Sequence, residues 1–498
     1  MNKPNVLFIM CDQMRQDAIG CNGNKTVKTP NIDRLAKEGV NFKNAFTPSP
    51  ICVPARASLT TGLYPHKCTG QKNNSGALKG GIPTIAGEFQ SRGYDTYAMG
   101  KLHYLPYAPP GEKRTLHGFQ TAELTESGRM LKKYDPLGEQ SGLEDYNDYL
   151  KTVGWEGFSR GNGLGNNDIF PATSAIPEEH YVDTWVADRT ITHLNNHIKN
   201  SPDKPFFMFT SFPKPHSAYD PPYPYDRLYD PRKMPDCIGD IGKIKEREIE
   251  LLVEKYKKYG WDTLSPQAKK NIKAHYYGLI SLQDKQIGRL LGFLEEQGIK
   301  DNTIIVYTAD HGDLLGDFGL YFKENFYNAS VRIPMIISYP SGIKGGRVLD
   351  QLVGLQDIMP TLMELTGTPL NHEVDGMSLL PAINEDKKTR RFYVSQCHES
   401  PEQQYMVCGE DWKFIYHQNG GVEELYDMQD DYNELHNLAQ SDEPHIREKV
   451  KEMRDYLLKW CVENNDAPMV DKKALAKVGI EQNTACNNSF NVFGRRYL

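Results

Sequence analysis

The sequence predicts an α/β fold: a large, mostly parallel sheet sandwiched between helices, with a smaller C-terminal α+β subdomain containing an antiparallel sheet. Three observations carry that prediction. Short β-rich apolar runs bounded by turn residues alternate with segments of helical length, which is the pattern of strand-helix-strand units. The runs are apolar at successive positions and not only at alternate ones, as strands covered on both faces are. Past about Pro369 they give way to shorter, Tyr-rich, alternating segments, the signature of antiparallel pairing.

In chain order, Val6–Met10 is the first strand, and Ile32, Leu35 and Ala36 share one face of a helix that stops before Gly39. Pro54 suits the first turn of a helix starting near Cys52. Thr84 can cap a helix over Ile85–Arg92 ahead of Gly93, which leads into the strand Tyr94–Met99. Phe206–Phe212 is the third strand. The longest helical pattern, Gln267 to Gln297, spaces Ile280, Asp284, Ile287, Leu291 and Leu294 on a helical period and feeds the strand Thr303–Thr308. Met335–Tyr339 completes this set. Arg391–Cys397, Tyr405–Cys408 and Lys413–His417 form the antiparallel group, so the boundary falls between 1–368 and 369–498. Pro-rich Tyr104–Gly111 and Tyr219–Pro235 read as surface loops that shape a substrate site.

Composition narrows the function. At 498 residues the chain exceeds the roughly 250–300 at which one core stops growing, so two packed units are expected. With 58 basic against 65 acidic residues, net −7, it offers nucleic acid or an anionic membrane no diffuse attraction, and neither is an expected partner. Apolar runs such as Phe206–Phe209 fall far short of the about 18 residues that span a bilayer. Met1-Asn2-Lys3-Pro4 leads into too short an apolar run for a signal peptide, so a cytoplasmic protein is expected, or a periplasmic or secreted one if a signal has been removed. Nine cysteines, an odd number in so long a chain, do not read as a disulfide framework.

Ligands of open parallel sheets bind beyond the carboxyl ends of the strands. Asp12-Gln13 follow the first strand, Lys101 and His103 the second, Lys214 and His216 the third, and Asp310-His311 the fourth. Singly, each has an ordinary explanation, such as an Asp that caps a helix or a solvated loop His, and Lys214 reads as a solvated loop charge. Together they point to one site. Cys52-Val53-Pro54-Ala55-Arg56 would place the Cys52 thiol at the positive end of a helix, where an anion is favoured; a buried free thiol is the ordinary alternative.

Cys-x-Pro-x-Arg followed by Leu-x-Thr-Gly at Leu59–Gly62 resembles the type I sulfatase signature. The resemblance extends to Asn5–Asp12, Lys28–Leu35, Gly100-Lys101-Leu102-His103, Thr308–Gly312 and Leu425-Tyr426-Asp427, in the expected order. It departs at Ala55, where Ser is common, at Leu63, where Arg is common, and at Gln13, where many sulfatases carry a second Asp. It implies the fold of the alkaline phosphatase superfamily and conversion of Cys52 to formylglycine (3-oxoalanine) by a formylglycine-generating maturation enzyme. It further implies one divalent metal held by Asp12, Gln13, Asp310, His311 and residue 52. Calcium is the expected ion, with magnesium, manganese or zinc left open by the imidazole. By matching positions, Arg56, Lys101 and Lys323 would hold the hydrated aldehyde and the sulfate, His216, with or without help from Lys323, would protonate the leaving alcohol, and His103 would help deprotonate the second hydroxyl. The expected function is a sulfuric ester hydrolase acting on a sulfate monoester, by default of a sulfated carbohydrate. Alternatives are a phosphonate monoester or phosphodiester hydrolase, disfavoured by the Lys101/His103 pair, and a choline sulfatase, which the chain also resembles at Asp12-Gln13-Met14 and Leu116–Phe119. A catalytically silent binding protein is disfavoured by the completeness of the set.

Overall fold

Eight strands form the large sheet: β1 (Asn5–Asp12), β2 (Val40–Phe42), β3 (Asp95–Gly100), β4 (Thr121–Leu124), β5 (Phe206–Pro215), β6 (Thr303–Ala309), β7 (Met335–Ser338) and β8 (Arg347–Leu349). Their spatial order is β4-β3-β5-β1-β6-β7-β2-β8. The computed structural model describes residues 3–70, 72, 77–104, 112–127, 142–466, 469–471 and 474–479. Residues 105–111 of the predicted loop Tyr104–Gly111 lie outside the described residues, whereas Tyr219–Pro235 is a loop carrying the short turns Tyr225–Arg227 and Pro231–Lys233.

All neighbours pair in parallel except where β7 is involved, which is antiparallel to both β6 and β2. The run Met335–Tyr339 is therefore a strand, but one that departs from the parallel set. Residues 310–334 remain at the carboxyl end of β6, where Gly312 N–H reaches back to the Ser330 carbonyl. The chain re-enters the sheet at that end and runs back, because a parallel return would need a crossover to the other end. At the centre, Phe8 of β1 lies in register with Phe209 of β5 and stacks on it, ring centroids 5.1 Å apart.

Helices cover the sheet. In α1 (Pro30–Glu38) the buried residues are Ile32, Leu35 and Ala36. The helix α2 (Cys52–Thr61) is buried along its whole length and ends at Gly62, whose φ of 71° is one that a side chain disfavours. In α3 (Ile85–Ser91), Thr84 accepts a hydrogen bond from Gly87 N–H as expected. The helices α4 (Val182–Asn200) and α5 (Pro266–Glu296) follow, the latter capped by Ser265. Asp284 interrupts the apolar stripe of α5 for a reason: its carboxylate accepts the Asn31 and Ile32 N–H groups at 3.0 and 2.8 Å, filling the orphan donors at the start of α1.

Beyond the large sheet, β9 (Tyr393–Cys397), β10 (Gln404–Cys408), β11 (Trp412–His417) and β12 (Val422–Asp427) form an antiparallel meander. The fourth strand was not among the predicted ones. Alternation gives this sheet two apolar faces. Met406, Cys408, Ile415 and Tyr426 join the core of the large sheet. Val394, Tyr405, Val407, Phe414 and Leu425 pack on α6 (Pro444–Glu463) through Ile446, Val450, Met453, Leu457 and Trp460. The described cysteines are all free thiols, and no helix among the described residues is long and apolar enough to cross a membrane.

Candidate active site

Three of the four strand-end clusters meet at one group, through Asp12, Lys101 and Asp310-His311. Cys52 is the first residue of α2, and Ile51 before it is extended and supplies no side-chain cap, so the helix N-terminus opens toward the ends of β1 and β6. Cys52 Sγ lies 3.1 Å from His311 Nε2 and 3.9 Å from Asp12 Oδ1. Asp12, Cys52, Asp310 and His311, all buried, each offer one ligand atom, and these atoms lie within 4.8 Å of one another. His311 Nδ1 donates to the Gly312 carbonyl at 2.9 Å, so Nε2 is the nitrogen that faces the group.

Around this group runs a shell of fixed cations. Arg56, one turn along α2, donates from Nε to Asp310 Oδ2 at 2.7 Å and from Nη1 to the Lys101 carbonyl (2.7 Å) and Ser211 Oγ (2.9 Å). Its Nη2 stands 3.5 Å from Asp12 Oδ2, and Lys101 Nζ pairs with the same oxygen. Asp310 Oδ1 accepts the N–H groups of Gln13 and His311, both at 3.0 Å. Burial alone would raise the Asp12 carboxyl, but Lys101, His216, Arg56 and Lys323 overturn that and hold it well below the usual carboxylate range. Burial and then Asp12 push the Cys52 thiol up, whereas Lys323, Lys101 and His311 pull it down, and the net direction is down.

Gln13 is oriented from two sides. Its Nε2 donates to Asp313 and its Oε1 accepts from Lys323 Nζ at 2.5 Å. Asp313 also receives the Tyr219 hydroxyl and the Leu315 and Phe322 N–H groups. His103 is held through its N–H and its Nδ1 by Glu126, which follows β4. His216 donates from Nδ1 to the Ser217 carbonyl at 2.8 Å.

Lys214 is not the solvated loop charge expected of it. Its side chain is buried and its Nζ donates to Asp220 Oδ1 and the Ala218 carbonyl, each at 2.6 Å. The correction has a physical cause: β5 continues through Pro215, so Lys214 is still a strand residue covered on both sides. Three residues that hold predicted site side chains escaped sequence reasoning: Asp313, Glu126 and Asp220, which bond Gln13, His103 and Lys214. Asp313 stands two residues after His311. Glu126 obeys the strand-end rule but follows a four-residue strand with no β-branched run.

Comparison with known proteins agrees with this geometry. Residues 4–368 match the family model described as Sulfatase, and residues 316–462 match one described as N-sulphoglucosamine sulphohydrolase, C-terminal. An arylsulfatase of Clostridium perfringens is 34% identical over 92% of this chain and 94% of its own. An N-acetylglucosamine-6-O-sulfatase of Bacteroides thetaiotaomicron is 26% identical over 88% of this chain and 82% of its own. In fold, the chain is similar to the crystal structure of a phosphonate monoester hydrolase of Agrobacterium radiobacter, with TM-score 0.76, 23% identity, and 96% of this chain and 100% of that one covered.

Proposed function

Because the chain belongs to the sulfatase family of the alkaline phosphatase superfamily, and is a sulfuric ester hydrolase, we propose that residue 52, as formylglycine, is its nucleophile and that a sulfated carbohydrate is its substrate. One observation carries the first part. Cys52 Sγ, standing where the oxygens of the hydrated aldehyde would sit, lies among Asp12, Asp310 and His311 and in front of Arg56 and Lys101.

Two buried carboxylates, an imidazole with Nε2 facing them and oxygens at residue 52 fit a hard divalent cation; the Gln13 amide oxygen here accepts from Lys323 Nζ and would have to give up that bond to join the ion. Asp12, Gln13, Asp310, His311 and residue 52 would hold it, and calcium is the ion proposed. Bound there, it would supply positive charge to the nucleophile and to a sulfate oxygen.

The chain's own residues divide the remaining work. One hydroxyl of the hydrated aldehyde, ionised among the surrounding cations with its proton released to water, attacks sulfur, the bond from sulfur to the ester oxygen breaks, and that oxygen takes its proton from His216 Nε2, which water reprotonates. Arg56, Lys101 and Lys323 offset the charge on the sulfuryl group. The second hydroxyl then loses its proton with help from His103, its oxygen forms the carbonyl, and the bond from carbon to the sulfated oxygen breaks to release sulfate. Water rehydrates the aldehyde. A plain alcohol in place of the diol would stop at the sulfate ester, having no second hydroxyl.

The carbohydrate reading is supported by the N-acetylglucosamine-6-O-sulfatase and by a structural neighbour solved with its substrate D-glucosamine-2-N,6-O-disulfate. A desulfation screen over sulfated sugars, choline sulfate and an aryl sulfate, with a phosphodiester control, tests it. Turnover of choline sulfate above every sugar refutes it. For His216, replacement by Ala should cost about 10²-fold or more on sugar sulfates and far less on aryl sulfates, whose phenolate departs unaided; equal losses reject the role.

A further inference from the structure

We propose that Lys214, acting through Asp220, is the positioning residue for His216. The proposal rests on the reading of His216 as general acid. The imidazole belongs to the bend that follows the end of β5 at Pro215. Lys214 spans that turn. Its Nζ donates to the Ala218 carbonyl and to Asp220 Oδ1, both at 2.6 Å, closing residues 215–219 into a clamp around His216.

Both ends of the clamp are anchored in the fold. Asp220 Oδ1 also accepts the Tyr181 hydroxyl at 3.1 Å, and its Oδ2 accepts Asn162 Nδ2 at 3.0 Å. The Lys214 carbonyl accepts Gln283 Nε2 of α5 at 2.7 Å. Within the turn, Ser217 Oγ donates to the Asn166 carbonyl at 2.9 Å. His216 Nδ1 is committed to the Ser217 carbonyl, so the turn's conformation sets where Nε2 points.

Burying an ion pair costs desolvation, and an apolar pair of similar volume is often as stable. Stability alone therefore does not call for Lys214 and Asp220. Lys214, His216 and Asp220 line one cavity together with Tyr146 and Arg160, so a shift of the clamp would move the His216 imidazole within it, and on the general-acid reading that is movement relative to the leaving oxygen. A displacement of about 1 Å at a reacting group costs about 10²-fold in rate.

The test uses the full-length matured enzyme with a sugar sulfate and an aryl sulfate. Lys214→Met should lower kcat/KM on the sugar sulfate by about 10²-fold and on the aryl sulfate by only a few-fold. Asp220→Asn, nearly isosteric, should show the same selectivity and guards against a Lys214→Met variant that fails to fold. In a His216→Ala background, Asp220→Asn should cost nothing further on the sugar sulfate, because the two changes remove one function. Equal losses on both esters, or a full additive loss in the double variant, overturn the proposal while His216→Ala remains selective. If His216→Ala is itself unselective, the general-acid reading fails and takes this proposal with it.

Discussion

Replacing Glu424 of β12 with Gln should weaken the protein most at neutral pH and progressively less in acid. Its carboxylate is buried and collects four groups. His417 Nε2 lies at 2.7 Å and the Tyr327 hydroxyl at 3.0 Å, the Tyr426 hydroxyl donates to it, and Arg247 Nη1 stands 3.5 Å away. Burial alone would raise this carboxyl, but His417, Arg247 and Tyr426 outweigh it and bring it from 4.5 down to about 2. A carboxyl depressed in the folded state stabilises above its unfolded pKa and loses that contribution as pH falls through the folded one. Here the window runs from about 4.5 down to about 2. At about 1.4 kcal/mol per tenfold, the contribution is about 3 kcal/mol at pH 7 and at pH 5, and roughly half of that at pH 3. Urea unfolding of wild type and Glu424→Gln at these three pH values, followed by tryptophan fluorescence, measures the gap. A gap that stays constant from pH 7 to pH 3 would refute the argument.

Three further outcomes are expected. Made in a host with the maturation machinery, the Cys52 peptide should carry an aldehyde that hydrazide traps, with activity proportional to aldehyde content; fully active enzyme with an unmodified thiol refutes the mechanism. Asp310→Ala should lose divalent metal and turnover together, and should destabilise the fold by about 3 kcal/mol because Arg56 Nε loses its 2.7 Å partner; elemental analysis showing stoichiometric metal in the variant contradicts the ligand assignment. Wild type should prefer sulfate esters to matched phosphodiesters in kcat/KM, and Lys101→Ala with His103→Ala should narrow that preference by removing sulfate contacts and opening space for a second organic group. A wild-type preference for the diester would overturn the assigned substrate chemistry.

The main strands of the large sheet were legible because both faces of a covered strand are apolar, a local property of composition. Strand direction is not local. Nothing within Met335–Ser338 says that its predecessor loop stays at one end of the sheet, so its antiparallel course was hidden. The strand Val422–Asp427 was hidden by Glu423 and Glu424, which look solvated until His417, Arg247 and two tyrosines are seen to bury and neutralise the second of them. Lys214 was misread for the same reason: its partner Asp220 lies six residues on, and sequence does not reveal that both face inward. The strand-end residues, by contrast, were legible because α/β topology collects the carboxyl ends of parallel strands at one place whatever the loops do.

Cys52 is only 2% exposed, the first residue of a helix buried on every side. On the proposed mechanism, that burial sets an order of events in the life of the polypeptide. An enzyme that is to oxidise this thiol must meet it while the segment is still unfolded, so on the proposed mechanism maturation competes in time with folding. Each molecule is then sorted once, at synthesis, into active or inert, and a folded thiol form has no route back. Slowing folding, or raising the supply of the oxidising partner during translation, should raise the active fraction. The same partner added to finished, folded protein should leave it unchanged.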